Sequence, residues 1–232
     1  MTTPATHMRN PLRAFVALLA IFSALFFGWT FAVFQIPAIA EFDLQVARTM
    51  ADRDAEPVLR SFMLIATASG GIPANTFLAV AGASWLWWHH RRRFAFAWCI
   101  IALIGGLTIL GLKDQFGRDR PPREIRDIAV SEDNESYPSG HAMGSVVGYG
   151  MLAFVVLQRV KRVPRRIAFG AMLAAWVMVI GLSRVYLRAH WLSDVIGGWL
   201  LGFAYVSACL AIYFWRRPDT RSGSSGYMKN ME

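Results

Sequence analysis

The chain has 232 residues, 55% of them hydrophobic and 17% charged, with a formal net charge of +9. The apolar residues are bunched into long runs without Asp, Glu, Lys or Arg, which excludes an ordinary soluble domain. The basic excess lies beside those runs and not on a face of its own, which excludes a nucleic-acid-binding surface.

The runs, in chain order, are Ala14–Ala40, Ser61–Trp88, Phe94–Leu112, Ala142–Gln158, Ile167–Ser183 and Val195–Trp215. Each is close to the ~20 residues that a helix needs to cross ~30 Å of hydrocarbon. The expected fold is therefore all-α, a six-span transmembrane bundle in a single domain over residues 1–232. Its core lies at 61–215, and residues 216–232 form a flexible cytoplasmic tail containing "RSGSSG". "PAIAEF" offers a small-residue cleavage site after the first run, but that run is about twice the length of a signal-peptide core. An uncleaved first span is the preferred reading. Between the first two runs, Phe42, Val46 and Met50 recur four apart, as in a short interfacial helix. "ASGGIPAN", Ala68 to Asn75, reads as close helix packing through small residues in preference to a broken helix.

The connections alternate in charge. The N-terminus, residues 89–93, residues 158–166 and the tail carry 14 Lys+Arg against 2 Asp+Glu, whereas the other three connections carry 10 against 13. Positive connections stay inside, so both termini are expected in the cytoplasm of a bacterial inner membrane and the acidic connections in the periplasm. Cys99 and Cys209 fall inside apolar runs, with no disulfide framework and no metal-ligand spacing.

Three polar clusters mark the ends of runs on the outer face. "KDQFGRDRPP" places Lys113 and Arg120 seven apart, "PSGH" ends at His141, and "SRVYLRAHWLSD" holds Ser183, Arg184, His190 and Asp194. Arginine forks and a lysine point charge suit phosphate oxygens. Ser139 and Gly140 offer a hydroxyl and closely approachable N–H groups at a helix N-terminus. His190 and Asp194, four apart, share a face if helical, so the carboxylate can fix the tautomer of the ring. Two histidines, one attacking and one protonating, make a phosphoryl-transfer centre. Asp114 and Asp119 read as solvated or ion-paired neighbours of the cations and not as metal ligands. Taken singly, these residues have plainer readings: headgroup anchors for the cations, a turn for "PSG", and a cap or a partner of Arg188 for Asp194.

Together, the three clusters resemble the signature motifs of the type 2 phosphatidic acid phosphatase (PAP2) family, the membrane branch of a superfamily shared with vanadium haloperoxidases and glucose-6-phosphatase. The resemblance implies a metal-independent, cofactor-free phosphatase. Lys113, Arg120, Arg184, Ser139 and Gly140 would bind the phosphate, His190 would form a phosphohistidine, Asp194 would orient it and His141 would protonate the leaving group. Implied substrates are lipid phosphates or pyrophosphates of the undecaprenyl pyrophosphate, phosphatidylglycerophosphate, diacylglycerol pyrophosphate, phosphatidate or lipid A type. A lipid phosphotransferase would use the same intermediate. A phosphate-binding transporter accounts for the cations but not for the His–Asp pair, and it expects charges near the bilayer midplane. A haloperoxidase would be soluble, which the six runs oppose.

Overall fold

The computed structural model describes residues 11–51, 56–130, 132 and 134–215. The expected tail, 216–232, lies outside the described residues. The chain forms α1 (Pro11–Gln35), α2 (Pro37–Ala51), α3 (Pro57–Gly70), α4 (Ile72–Trp88), α5 (Arg92–Phe116), α6 (Gly140–Leu157), α7 (Val163–Tyr186) and α8 (Leu192–Trp215). Two short 3₁₀ turns, Arg123–Ile125 and Ile128–Val130, lie in the connection before α6. Helices α1, α5, α6, α7 and α8 are each long and apolar enough to cross a membrane. The pair α3–α4 makes a sixth span, bent by 49°.

Two expectations are corrected here. The first apolar run is not a single helix: α1 stops at Gln35 and a new helix starts with Pro37 in its first turn, where the missing N–H has no consequence. The interfacial helix therefore begins earlier than the 41–60 connection. The glycine pair in the second run also does more than pack. A Cβ on Gly70 would fall 2.3 Å from Ile180 Cγ2 of α7, so close packing is real. The helix nonetheless breaks at Gly71, which is extended at φ −72°, ψ 170° and serves as cap to both halves, with Pro73 restarting the helix beyond it.

The inner helices are α6 and α8, which carry the largest buried share of all the spans. Around them, α1 lies along α8 through stacked Phe15–Phe214 and Phe22–Phe203 pairs. Trp98, Leu86, Phe94, Met151 and Cys209 fill the interior at one end. The outer surface is apolar instead: Phe27, Phe31, Phe77, Leu103 and Ile167 are all more than 60% exposed. That inversion is the pattern of a surface facing lipid. At the end bearing the 89–93 and 158–166 connections, Arg92 stacks on Trp87 and Arg159 on Trp85. Aromatic–cation belts of this kind sit at the membrane interface. The C-termini of α5 and α7 and the N-termini of α6 and α8 meet at the opposite end.

Candidate active site

The site residues come from helix ends and from the turns that join them. Lys113 occupies the last turn of α5, and Gly117 ends that helix in the left-handed region at φ 56°, its N–H returning to the Lys113 carbonyl at 2.9 Å. A residue with a Cβ is disfavoured there, which makes Gly117 the stop signal. The reversal sends Arg118 and Arg120 back over the bundle end. Ser139 caps α6, its hydroxyl accepting from Ala142 N at 3.5 Å. The cap is pressed onto α8: the Ser139 N–H donates to the Asp194 carbonyl at 3.0 Å, and a Cβ on Gly198 would lie 2.5 Å from the Ser139 oxygen.

The cations converge. Arg120 donates to Glu132 Oε2 and Arg184 to Glu132 Oε1, the former at 2.7 Å, so one carboxylate is gripped by two guanidiniums. Lys113 and Arg120 share Asn134 Oδ1 at 3.3 and 2.6 Å, and Lys113 also donates to the Glu135 carbonyl. Thr67 of α3 accepts from Arg184 at 2.7 Å and sets its plane. Arg184 Nε is buried and has no hydrogen-bond partner among the described residues. An unmatched buried donor is costly unless a ligand uses it. Glu132 sits at the seat of an anion: burial pushes its carboxyl up, the Arg184 and Arg120 charges push it down harder, and it settles at about 2.

The nucleophile candidate lies against that seat. His190 Nε2 is 3.5 Å from Arg120 Nη1, while its Nδ1 faces Asp194 Oδ2 at 3.4 Å. The residue is 2% exposed. Burial first, then the charges of Arg120, Arg184 and Lys113, hold the imidazole well below the ordinary histidine range, so the ring is neutral. One expectation fails locally: the His190–Asp194 spacing is not helical. Helix α7 ends at Tyr186 and α8 begins at Leu192, leaving His190 in the intervening turn. The pair still meets because Asp194, in the first turn of α8, reaches back to accept the Trp191 N–H at 2.9 Å. This is the carboxylate half of a capping box. The cap reading and the functional reading of Asp194 are thus one arrangement.

The structure brings Lys113, Arg120, Arg184, His190 and Asp194 directly together. His141, half-buried in the first turn of α6, turns its Nε2 toward the break at Gly71. Both His141 and His190 lie within electrostatic reach of Glu132. Gly140 opens α6 beside the cap. Ser139 departs from its expected part: its N–H is engaged by Asp194 and its hydroxyl faces the helix, so it shapes the loop that presents His141. Asp114 and Asp119 are exposed, as expected of solvated neighbours.

Sequence reasoning missed Glu132, Asn134, Thr67, Ser136, Arg118 and Asp43. Ser136 donates to Asp194 Oδ2, and Arg118 donates to Asp194 Oδ1 at 2.5 Å. Arg118 stands inside the first cluster, two residues before Arg120, and its charge was a visible signal. Glu132 and Asp43 are charged as well, but nothing local in the sequence points to their partners.

The PAP2 superfamily profile matches residues 94–218, more than half of the chain. The chain belongs to the PAP2 superfamily. Among relatives, it is 34% identical over 94 residues to phosphatidylglycerophosphatase B of Bacillus subtilis (strain 168), covering 39% of this chain and 44% of that protein. It is 36% identical over 122 residues to lipid A 1-phosphatase of Rhizobium johnstonii, covering 49% and 45% respectively. The match therefore spans less than half the length of each of these two. In three dimensions it is similar to the crystal structure of a transmembrane PAP2-type phosphatidylglycerolphosphate phosphatase from Bacillus subtilis. The TM-score is 0.71 at 21% identity, over 91% of this chain and all of that one. That likeness shows the fold: a multi-pass helical membrane protein.

Proposed function

We propose that this protein is a lipid phosphatase that removes a phosphate from a lipid monoester or pyrophosphate through a phosphohistidine. The observation that carries the reading is the Glu132 carboxylate, held by Arg120 and Arg184 beside the neutral His190 ring. A seat that grips one oxyanion with two guanidiniums and leaves Arg184 Nε unmatched is complementary to a phosphoryl group.

In the reaction, the substrate phosphate displaces Glu132 and its oxygens take the donors of Lys113, Arg120 and Arg184. Asp194 accepts from His190 Nδ1, which leaves the Nε2 lone pair directed at phosphorus. The Nε2–P bond forms as the bond from phosphorus to the leaving oxygen breaks, and His141 gives that oxygen a proton. Water then attacks the phosphohistidine, His141 takes a proton from it, and inorganic phosphate leaves with His190 restored. Charge developing on the phosphoryl oxygens is met by three fixed cations, the electrostatic work that needs no metal ion in this scheme.

The site end belongs on the periplasmic side of a bacterial inner membrane, with both termini in the cytoplasm, because the basic connections lie at the opposite end. A lipid phosphate in the outer leaflet then meets the site with its headgroup at the interface and its chains in hydrocarbon. Residues 1–232 act as one domain. The test is phosphate release by the purified full chain in detergent from phosphatidylglycerophosphate, undecaprenyl pyrophosphate, diacylglycerol pyrophosphate, phosphatidate and lipid A 1-phosphate, with excess chelator and with His190→Ala as the blank. Release that survives chelator and vanishes in the variant supports the reading. Release that requires added Mg²⁺, or none from any of the five, overturns it.

A further inference from the structure

Behind the Asp194 carboxylate lies a second ion pair that the reaction as described does not use. Arg118 leaves the αL turn at Gly117 and places one guanidinium nitrogen on Asp194 Oδ1 at 2.5 Å and on Ser193 Oγ at 2.7 Å. Its other terminal nitrogen meets Asp43 Oδ2 at 2.8 Å. Asp43 comes from the middle of α2, is 2% exposed, and also accepts the Ser193 N–H at 3.0 Å and the Ser193 hydroxyl. The carboxylate of α2 therefore caps α8 and fixes Arg118 at once. The Arg118 backbone acts on the same target: its carbonyl accepts the Ser136 N–H at 2.7 Å, and the Ser136 hydroxyl donates to Asp194 Oδ2. Trp191 packs near the guanidinium, 5.9 Å from ring centre to Cζ.

We propose that Arg118 is a positioning residue for the Asp194–His190 pair and that Asp43 on the interfacial helix α2 locks it in place. The reading rests on the phosphatase function proposed above. Asp194 is fully buried, and a buried carboxylate holds its charge and its orientation only when its oxygens are matched. Arg118 and Ser136 take one oxygen each, and the Trp191 N–H fixes Oδ2 from a third direction. What remains of Oδ2 faces His190 Nδ1. Arg118 does not belong to the phosphate seat: its guanidinium contacts run to Asp43, Ser193 and Asp194, on the far side of the carboxylate from His190 Nε2. It acts on the reaction only through Asp194.

The test is a double-mutant cycle on the purified full chain, with the lipid of the five above that the wild type hydrolyses fastest as substrate and rates expressed per vanadate-titrated site, so that misfolded protein is not counted. Arg118→Gln is expected to lower kcat about 10- to 100-fold with KM unchanged, on the scale of groups that orient a functional histidine at metal sites. Arg118→Lys, which reaches only one of the two carboxylates, falls between. Asp43→Asn lowers kcat less than Arg118→Gln does. The deciding arm is the Asp194→Asn background, where adding Arg118→Gln or Asp43→Asn costs no more than about twofold, because the group they act through is already neutralised. Losses that multiply with Asp194→Asn, a raised KM at constant kcat, or no loss in any variant would each overturn the inference. If Arg118→Gln fails to fold, Arg118→Lys and Asp43→Asn decide by the same criterion. A wild-type protein that releases no phosphate from any of the five lipids removes the phosphatase reading and this inference together; an active wild type with an indifferent Arg118 removes this inference alone.

Discussion

Replacing Glu132 by glutamine removes the charge that competes with phosphate for Arg120 and Arg184. The two bonds it makes are charge-assisted, a class worth about 1.5–3 kcal/mol each net of exchange with water. The Glu132 side chain is one-third exposed, and its competing strength is screened accordingly. A net advantage to an entering anion of about 1–2 kcal/mol follows, a factor of about 5–30 in affinity. Glutamine keeps the shape and one acceptor oxygen; the guanidinium that loses its oxygen still has an acceptor, Thr67 for Arg184 or Asn134 and Ala189 for Arg120. The assay is competitive inhibition by orthovanadate and by inorganic phosphate, compared between wild type and Glu132→Gln; both inhibition constants should fall by that factor. The pH dependence has a defined sign. With its native pKa depressed to about 2, Glu132 contributes stability that is fully present above its unfolded value of about 4.5 and is lost as pH falls through about 2. It stays ionised at every working pH, so wild-type inhibition by vanadate shows no step from this group between about pH 5 and 8. Weaker inhibition of Glu132→Gln than of wild type would refute the reasoning, since Glu132 would then be assisting the anion instead of standing in its seat.

Reporter fusions after Arg162 and Gly223 should read cytoplasm and one after Glu132 periplasm; a cytoplasmic report at Glu132 would invert the bundle. Gly198→Ala should lower the thermal midpoint, because the new Cβ meets the Ser139 carbonyl at 2.5 Å and Ala142 Cβ at 2.9 Å, an overpacking worth about 1–3 kcal/mol. It should also slow phosphate release by shifting the first turn of α6, which carries His141, and an unchanged midpoint would contradict the packing described. Because His190 is held neutral, it favours the native state above its unfolded pKa of about 6.5, a contribution that declines as pH falls below that value. The difference between the thermal midpoints of wild type and His190→Gln should therefore change between pH 8 and pH 5, the wild type losing ground at pH 5, and an identical difference at both would show that the ring binds protons equally in the folded and unfolded states.

The spans were legible because membrane burial leaves a coarse mark, a run of residues without charge. That Lys113, Arg120, Arg184, His190 and Asp194 gather at one end was legible because ionisable groups at the ends of such runs stand out. The fine geometry was not. The His190–Asp194 interval suits a helix, but α8 starts one residue after Trp191, and the pair meets through a capping contact that spacing alone does not distinguish. The glycine pair at 70–71 carried two signals, and packing was preferred to the break although the structure contains both. Asp43 and Glu132 were lost for another reason: their partners Arg118 and Arg184 lie 75 and 52 residues away, which no local pattern encodes, whereas Arg118 stood in view two residues before Arg120. Asp43 in particular reads as an ordinary polar position on an interfacial helix until α8 is laid against it.

The central claim is that His190 carries the phosphoryl group and His141 the proton. Rapid-quench trapping with phosphorus-labelled substrate tests it directly. Wild type should yield acid-labile, base-stable phosphoprotein. His190→Ala should yield none, and His141→Ala should still form it from a pyrophosphate or aryl phosphate, whose leaving group needs little protonation, while losing about 10²–10⁴-fold on an alkyl monoester. Label that accumulates on His190→Ala, or that disappears only from His141→Ala, would contradict the assignment.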